Sequence, residues 1–271
     1  MKKISIITLG ILLAIGGFAQ SDFSEQFTVP LSKPGERGTL KIDHMNGDII
    51  VTGYSGKEVI ISAKSSGNSH VNDHNHDDDN VPAGMKRLNV NPVELKAREE
   101  NNKITVHSDS WKRRLNLEIK VPANMDLDIH SVHGIIKISG VNGAMDISAV
   151  NGELEFSNVS GSIVSNTVNG DVKATFKSIT SGEPMSFVTL NGNVDVTLPA
   201  SVKASAKVRS DRGDIYTDFD MTLESSKTDV KKSDGQYEVS INTWVYGKIN
   251  GGGPEYTFKN MQGDIIIRKG S

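Results

Sequence analysis

A short unit repeats along this chain at a fixed period. It consists of an aliphatic residue or Met, a turn-forming residue, Gly, and then two apolar residues separated by one position; Val150-Asn151-Gly152 with Leu154 and Phe156 is a representative copy. Five successive copies place their glycines nine residues apart, at Gly134, Gly143, Gly152, Gly161 and Gly170. Such self-similarity predicts a repeat architecture in which each unit buries its apolar residues against its neighbours.

The spacing of the apolar residues within the unit indicates how the strands are arranged. The two apolar residues after Gly share one face of a strand, because alternate side chains point the same way. The aliphatic residue before the next turn lies at an odd offset from them, so a straight strand would direct it to the opposite face. A bend in each unit would return that residue to one common core, as in a parallel β-helix or β-solenoid with about two units per coil. We predict this all-β fold. An antiparallel β meander or sandwich is the alternative, since Asn-Gly is also a common hairpin turn.

The turn positions of the repeat are predicted structural sites. Asn and Gly adopt positive φ at low cost, so they turn the chain sharply. The aspartates that follow several of the glycines are interpreted as outward polar positions rather than as calcium ligands. The predicted turn residues are Asn46, Gly47, Gly134, Asn142, Gly143, Asn151, Gly152, Gly161, Asn169, Gly170, Asn191, Gly192, Gly213 and Gly263.

The N-terminus predicts export from a bacterial cell. Lys2 and Lys3 precede the apolar segment 4–18, and Gly17-Phe18-Ala19 offers the small-x-small pattern that signal peptidase recognises. The apolar run of about 15 residues is shorter than the ~20 that span a bilayer. The sequence has no cysteine, which excludes lipidation after export. We predict a signal peptide over 1–19, no transmembrane segment after its removal, and a location in the periplasm, at the cell surface or outside the cell.

The rest of the chain divides into three predicted parts. Residues 20–64 form N-terminal strands, 65–84 form a flexible loop rich in His and Asp, and 85–271 form a β-strand repeat domain continuous with the N-terminal strands. Within the last part, alternating segments 93–97 and 103–106 predict a hairpin.

The predicted loop contains a candidate metal site. Imidazoles and carboxylates at close spacing bind zinc, copper or nickel. A solvated polar insertion is the competing interpretation, because no scaffold is evident that would fix the ligand geometry; no cofactor is predicted. The candidate ligands are His70, Asp73, His74, His76 and Asp77.

Composition and missing motifs argue against several functions. Without cysteine there is no disulfide framework and no cysteine nucleophile. A formal net charge of −3 argues against a nucleic-acid-binding surface. No serine lies in a GxSxG nucleophile elbow, and the one compact acid/base cluster of the repeat is Arg209, Asp211, Arg212 and Asp214. We predict a protein that is not an enzyme; a polysaccharide-degrading β-helix enzyme and a divalent-metal-binding envelope protein are the alternatives.

The order of the motifs resembles a known family. The resemblance covers about Gly38 to Gly270 and is carried by VPANMDLDIHSVHGIIKISGVNGAMDISAVNGELEF, TLNGNVDVTLPAS, RGDIYTDF and GKINGGGPEYTFKNMQGDIIIRKG. These segments are similar to the bacterial putative-adhesin β-strand-repeat family, whose exported domains have no established biochemical activity. The resemblance implies a β-helix-like fold and adhesin-like binding of a glycan, an envelope component or a protein. It carries over no functional residues, and self-association stays open.

Overall fold

The computed structural model describes residues 23–65, 94–109, 111, 113–180, 182–224, 228–233, 236–241 and 244–270. Within these ranges the structure contains strands and no helix, so the all-β prediction is confirmed. The strands are β1 (Phe23–Pro30), β2 (Thr39–Asn46), β3 (Ile49–Tyr54), β4 (Glu58–Ser65), β5 (Lys96–Glu100), β6 (Lys103–Ser108), β7 (Asn116–Pro122), β8 (Asp126–His133), β9 (Ile136–Ser139), β10 (Met145–Asn151), β11 (Leu154–Gly161), β12 (Ile163–Asn169), β13 (Val172–Ile179), β14 (Met185–Asn191), β15 (Val194–Leu198), β16 (Ala204–Ser210), β17 (Ile215–Thr217), β18 (Met221–Glu224), β19 (Thr228–Ser233), β20 (Gln236–Ile241), β21 (Val245–Ile249), β22 (Glu255–Asn260) and β23 (Ile265–Lys269).

Two large sheets enclose the core, and the repeat contributes strands to them alternately. Sheet 1 has the order β1-β4-β7-β3-β9-β11-β13-β15-β23-β17, and sheet 2 has the order β18-β21-β16-β22-β14-β12-β10-β8-β2-β6-β5. A further hairpin pairs β19 with β20. Each coil therefore has one strand in each sheet, and successive coils stack along one axis.

The register between coils confirms the predicted solenoid. Asn169 lies beside Asn151, which lies beside His133, each pair 18 residues apart, so two units of nine residues make one coil. Every strand pair from β8 to β15 is parallel. The antiparallel meander or sandwich is therefore wrong for the repeat. Asn-Gly turns the chain into the opposite sheet, where the next strand pairs with a neighbouring coil and not with its predecessor.

Inward side chains of both sheets meet in one apolar core. Leu154 and Phe156 point inward from β11, Met145 and Ile147 point inward from β10, and all four are at most 2% exposed. In the C-terminal coils Phe187 stacks on Phe258 with ring centroids 5.4 Å apart. Burial of these alternate positions is what drives the strands together.

The aliphatic residue before each Gly has two environments, and the expectation of a bend in every unit is corrected here. Val141 and Val159 are fully buried, whereas Val150 and Val168 are 42% and 39% exposed. Strands β10 and β12 continue without a break through the latter two valines to Asn151 and Asn169. Because these strands stay straight, the residue before Asn faces solvent.

The stacking order departs from the chain order at both ends. The coil β2–β3 lies between β6–β7 and β8–β9. The C-terminal coil β22–β23 lies between β14–β15 and β16–β17. The coils β2–β3 and β22–β23 are thus each held between two coils that are not both their neighbours in sequence.

Antiparallel strands extend both ends of the solenoid. The predicted hairpin is present as β5–β6, although β5 extends to Glu100, three residues beyond the predicted segment 93–97. Its turn residues Asn101 and Asn102 have φ of 53° and 65°, in the left-handed region that a two-residue turn requires. Strands β4 and β1 extend sheet 1 at the same end, and β21 and β18 extend sheet 2 at the other.

Two predicted segments lie outside the described residues. They are the signal peptide 1–19 and the His/Asp-rich loop, of which only Ser65, the last residue of β4, is described. The predicted division into domains therefore stays a prediction.

Candidate binding face

The glycines of the repeat allow the backbones of neighbouring coils to touch. A Cβ atom at Gly134 would lie 2.0 Å from the carbonyl oxygen of Gly47, and one at Gly152 would lie 1.9 Å from that of Gly134. The other predicted turn glycines meet a carbonyl oxygen of an adjacent coil at 1.8 to 2.4 Å in the same way. Positive φ is required as well at several of them, but not at Gly143, Gly152 or Gly213. Close approach is therefore the requirement they share.

The asparagines before these glycines form a ladder of side-chain amides along one corner of the solenoid, where the chain passes from sheet 2 to sheet 1. Asn169 donates from Nδ2 to Oδ1 of Asn151 at 2.7 Å, and Asn191 donates to Oδ1 of Asn169 at 2.8 Å. His133 continues the row, with its Nδ1 3.3 Å from Nδ2 of Asn151. None of these asparagines has positive φ. We call this row the amide ladder; it consists of Asn46, His133, Asn151, Asn169, Asn191 and Gln262.

The Asp and Asn side chains after the glycines bond the backbone of the next coil. Oδ1 of Asp171 accepts the N–H of Asn193 at 2.8 Å, Oδ1 of Asn193 accepts the N–H of Asp264 at 2.8 Å, and Oδ1 of Asp264 accepts the N–H of Asp214 at 3.0 Å. Asp48 likewise accepts the N–H of Ile135 at 2.9 Å. These carboxylates act as structural acceptors.

A third row lies inside the same corner. Thr167 and Thr189 each donate a hydroxyl to the carbonyl of the corner glycine in the preceding coil, at 3.0 and 2.8 Å. His44 takes this position near the N-terminal end and is 3% exposed, and neither of its ring nitrogens has a hydrogen-bond partner. Burial lowers the pKa of His44, and the nearby carbonyls of Leu115 and Asn46 offset part of that effect.

Outside the corner, aliphatic side chains form an exposed row beside the amide ladder. Four of them, Met45, Val150, Val168 and Leu190, are 38% to 42% exposed. Strand register places Met45 beside the half-buried Val132, which is followed by Val150, Val168 and Leu190 on the next three coils. We call this row the aliphatic stripe, and the stripe and the amide ladder together the ladder face. The stripe consists of Met45, Val132, Val150, Val168, Leu190 and Met261.

A groove opens beside the N-terminal half of the stripe, with a volume of about 310 Å³. Its polar wall includes His130 and His107, whose Nε2 atoms lie 2.9 Å from Oδ1 of Asp128 and 3.0 Å from Oδ1 of Asp109. We call it the His groove. Its outward-facing lining residues are Asp43, His107, His130 and Ser148 on the polar wall and Met45, Val132 and Val150 on the apolar wall.

The structure does not describe the predicted metal site. The candidate metal ligands His70, Asp73, His74, His76 and Asp77 lie outside the described residues. Within the described ranges no group of three or more His, Cys, Asp or Glu side chains is arranged to hold a metal ion.

The candidate acid/base cluster separates into two parts. Nε of Arg209 lies 2.7 Å from Oδ1 of Asp211, whereas Asp214 accepts a hydrogen bond from the hydroxyl of Tyr216 at 3.2 Å. Arg209 and Asp211 therefore pair with each other, while the carboxylate of Asp214 is held by Tyr216.

Sequence reasoning missed the aliphatic stripe. The residues were visible as the apolar position before Asn-Gly, but the sequence does not show which of the two corners of a coil leaves that position exposed. The turn residue gives no signal, since Asn follows buried Val141 as well as exposed Val150 and Val168.

Comparison with known proteins agrees with this architecture. The family model described as Toastrack DUF4097 matches residues 18–268. No curated protein matches the chain. No helix in the described ranges is long and apolar enough to cross a membrane.

Two solved structures are similar. A putative cell adhesion protein from Clostridium sporogenes has a TM-score of 0.54 and 12% identity, covering 92% of this chain and 100% of its own. A putative adhesin from Bacteroides fragilis has a TM-score of 0.33 and 10% identity, covering 92% and 98%. The resemblance to the putative-adhesin repeat family is confirmed by the family match.

Proposed function

This chain belongs to the Toastrack DUF4097 family, and from that premise we propose that it is an exported, adhesin-like protein that binds a neutral polysaccharide along the ladder face without cleaving it. The observation that carries the proposal is the pairing of two rows that reach the surface, an exposed aliphatic one and a half-buried to exposed one of amides, in register over successive coils. The similar protein from Clostridium sporogenes is described as a putative cell adhesion protein, which agrees with a binding role.

The amide ladder keeps hydrogen-bonding capacity for a ligand. A side-chain amide has two N–H donors and two acceptor lone pairs. Asn169 uses one donor on Asn151 and one lone pair on Asn191. One N–H and one lone pair therefore remain, and the ladder holds each amide in a fixed orientation. Such a row offers alternating donors and acceptors to hydroxyl groups.

The aliphatic stripe supplies the other half of the recognition. Parallel strands lie about 4.8 Å apart, so six positions extend over about 24 Å. A polysaccharide chain presents hydroxyls at its ring edges and C–H groups on its ring faces, which suit the amides and the aliphatic side chains respectively. The central part of the ladder face has no ionisable side chain, from Val150-Asn151 through Leu190-Asn191. This favours a neutral polymer over a charged one.

We propose that the protein is not catalytic because several of its aspartates accept hydrogen bonds from the backbone. Asp48, Asp171 and Asp264 accept backbone N–H groups of adjacent coils. Catalytic acids of glycoside-cleaving enzymes act as a pair that flanks the scissile bond, with one carboxyl protonated. Carboxylates occupied by backbone hydrogen bonds are poorly placed for that chemistry.

Binding is tested by affinity electrophoresis of the protein against neutral polysaccharides (β-1,3-glucan, β-1,4-glucan, mannan, galactan) and acidic ones (alginate, polygalacturonate). We expect retention by at least one neutral polymer. The double variant Val150→Glu/Val168→Glu should weaken that retention at least tenfold, because charged groups then interrupt the stripe. Ile50→Glu is the matched control: Ile50 is 40% exposed, but it lies on sheet 1.

Three results would contradict the proposal. They are retention by no neutral polymer, preferential retention by acidic polymers, and an equal loss in Ile50→Glu. New reducing ends released from a retained polymer would overturn the non-catalytic assignment.

Export is tested separately by sequencing the N-terminus of the protein recovered from expressing cells. We expect it to begin at Gln20 in the periplasmic, surface or medium fraction. An intact Met1 on cytoplasmic protein would contradict export.

A further inference from the structure

We infer that the His groove is a subsite for a single neutral sugar residue, and that it discriminates against acidic sugars. This inference deepens the proposed polysaccharide binding and rests on it. The volume of about 310 Å³ lies at the lower end of the ~300–1,000 Å³ typical of ligand pockets, so the groove suits one ring rather than a longer segment.

The polar wall of the groove accepts hydrogen bonds. Asp128 lies 2.9 Å from Nε2 of His130 and is itself held by Nζ of Lys41 at 3.3 Å. A carboxylate accepts the Nε2–H of an imidazole and fixes the orientation of the ring. The pairing of His107 with Asp109 has the same consequence. With Asp43 added, the wall carries a carboxylate and two imidazoles, each held at Nε2 by a neighbouring aspartate.

The opposite wall is apolar. Met45, Val132 and Val150 form it, and they are the N-terminal half of the aliphatic stripe. A ligand that fills the groove must therefore donate hydrogen bonds on one side and present C–H groups on the other. A sugar ring combines both, since its hydroxyls are donors and its ring face is apolar.

The charges around the groove set the expected selectivity. Three carboxylates, those of Asp43, Asp109 and Asp128, belong to the polar wall or pair with its imidazoles. Lys41 lies 3.3 Å from Asp128 and 4.0 Å from Asp43, and Lys96, which lies opposite His107 on β5, is itself bound by the carboxylate of Glu94. A uronic acid would bring a fourth carboxylate close to these three. A neutral ring avoids this repulsion.

The groove also lies where the amide ladder changes. His133 replaces Asn in the row, and Nδ2 of Asn46 is directed to the carbonyl of Trp111 at 3.4 Å. The continuous amide row of the central coils therefore ends beside the groove. A polymer on the ladder face would place one of its residues against the polar wall at this end.

The test uses single sugars as probes. Saturation-transfer NMR is recorded on the full-length protein with the methyl glycosides of glucose, galactose, mannose and N-acetylglucosamine, and with methyl glucuronide. We expect a signal from at least one neutral glycoside and at least fivefold weaker binding of the glucuronide.

The variants locate the subsite. His130→Ala and Asp43→Asn should each weaken binding of the neutral glycoside at least fivefold. His130 is 46% exposed at its side chain, so its removal leaves the fold intact. Asp220→Asn is the control, because Asp220 is exposed and directly precedes β18, the strand at the opposite edge of sheet 2.

The outcomes separate the subsite from the ladder face. The subsite is overturned if no glycoside gives a signal, or if His130→Ala and Asp43→Asn leave that signal unchanged. The ladder proposal still stands in that case if Val150→Glu/Val168→Glu loses polymer binding. A groove-dependent glycoside signal without polymer binding would contradict the ladder proposal instead. Equal binding of glucuronide and neutral glycosides would overturn the selectivity.

Discussion

At the residue scale, the shared reason for glycine at the repeat turns is the close approach of the neighbouring coil, and not the sharp turn of the chain. Gly152 shows this most clearly, because its φ lies outside the left-handed region while its missing Cβ leaves room for the carbonyl oxygen of Gly134. Gly140 is the reverse case: its φ is 65°, and a Cβ there would meet only an ordinary contact at 3.6 Å. A side chain would therefore meet a steric clash at Gly152 and an unfavourable backbone conformation at Gly140.

Alanine substitution at these two glycines should therefore differ in effect. We expect Gly152→Ala to lower the free energy of unfolding by about 3 kcal/mol or more, since the added methyl overlaps a backbone atom that cannot rotate away. Gly140→Ala should cost only about 1–2 kcal/mol, the penalty for a left-handed L-residue. Urea unfolding of both variants measures the difference. Equal losses would show that the coils do not approach as closely as described.

Buried His44 should make stability depend on pH. The folded protein keeps its imidazole neutral to a lower pH than the unfolded chain does, in which the group titrates near 6.5. Below that pH the unfolded chain binds more protons, so the free energy of unfolding falls as the pH drops. His44→Thr installs the residue type of Thr167 and Thr189 and should flatten this fall. Thermal unfolding from pH 8 to 5 tests it; parallel wild-type and variant curves would contradict the assignment.

At the scale of elements, the sequence predicts the coil but not every one of its corners. The nine-residue spacing of glycines and the alternating apolar pairs are local signals, and they indicated a parallel solenoid with about two units per coil. The exposure of Val150 and the burial of Val159 were not predictable, because both precede a turn-former and Gly in the same pattern. Whether a strand bends before or after that residue depends on the strands beside it.

The insertion of the last coil was also beyond local reasoning. Nothing in the segment 255–269 indicates that it pairs with β14–β15 on one side and β16–β17 on the other. Its Gly-Asp-Ile motif is the same as that of the neighbouring coil at Gly213. Similar units are interchangeable in their local preferences, so tertiary packing decides their order.

This insertion predicts coupling between distant parts of the chain. Phe258→Ala removes a fully buried ring that stacks on Phe187 and should cost about 3–5 kcal/mol. We expect amide hydrogen exchange to accelerate in 204–217 together with 255–269, because β16 and β17 then lose their inner neighbour. Phe258→Leu should show the same pattern more weakly.

A control variant distinguishes coupling from general destabilisation. Phe156→Ala lies in the middle coils and is equally buried at 2% exposure. It should accelerate exchange around β9–β13 first. Unchanged exchange of 204–217 in the Phe258 variants would contradict the stacking order.

At the scale of the whole molecule, the same rows that hold the coils together create a surface. The amides, glycines and inner hydroxyls of one corner stabilise each coil on the next, and the straight strands beside that corner leave an aliphatic stripe exposed. A solenoid repeats this surface at the spacing of its strands, so the ladder face grows in length with every coil. Such a face suits a partner that is itself a repeating polymer.

The most direct measurement of this account is methyl NMR of the protein, labelled at Met, Val, Leu and Ile methyls, during titration with a neutral polysaccharide. We expect shifts at Met45, Val150, Val168 and Leu190, all on the aliphatic stripe. Ile50 and Ile266, which lie in sheet 1, should not respond. Shifts confined to sheet 1 or to the ends of the solenoid, or no shifts with any neutral polymer, would contradict the ladder face as the binding site.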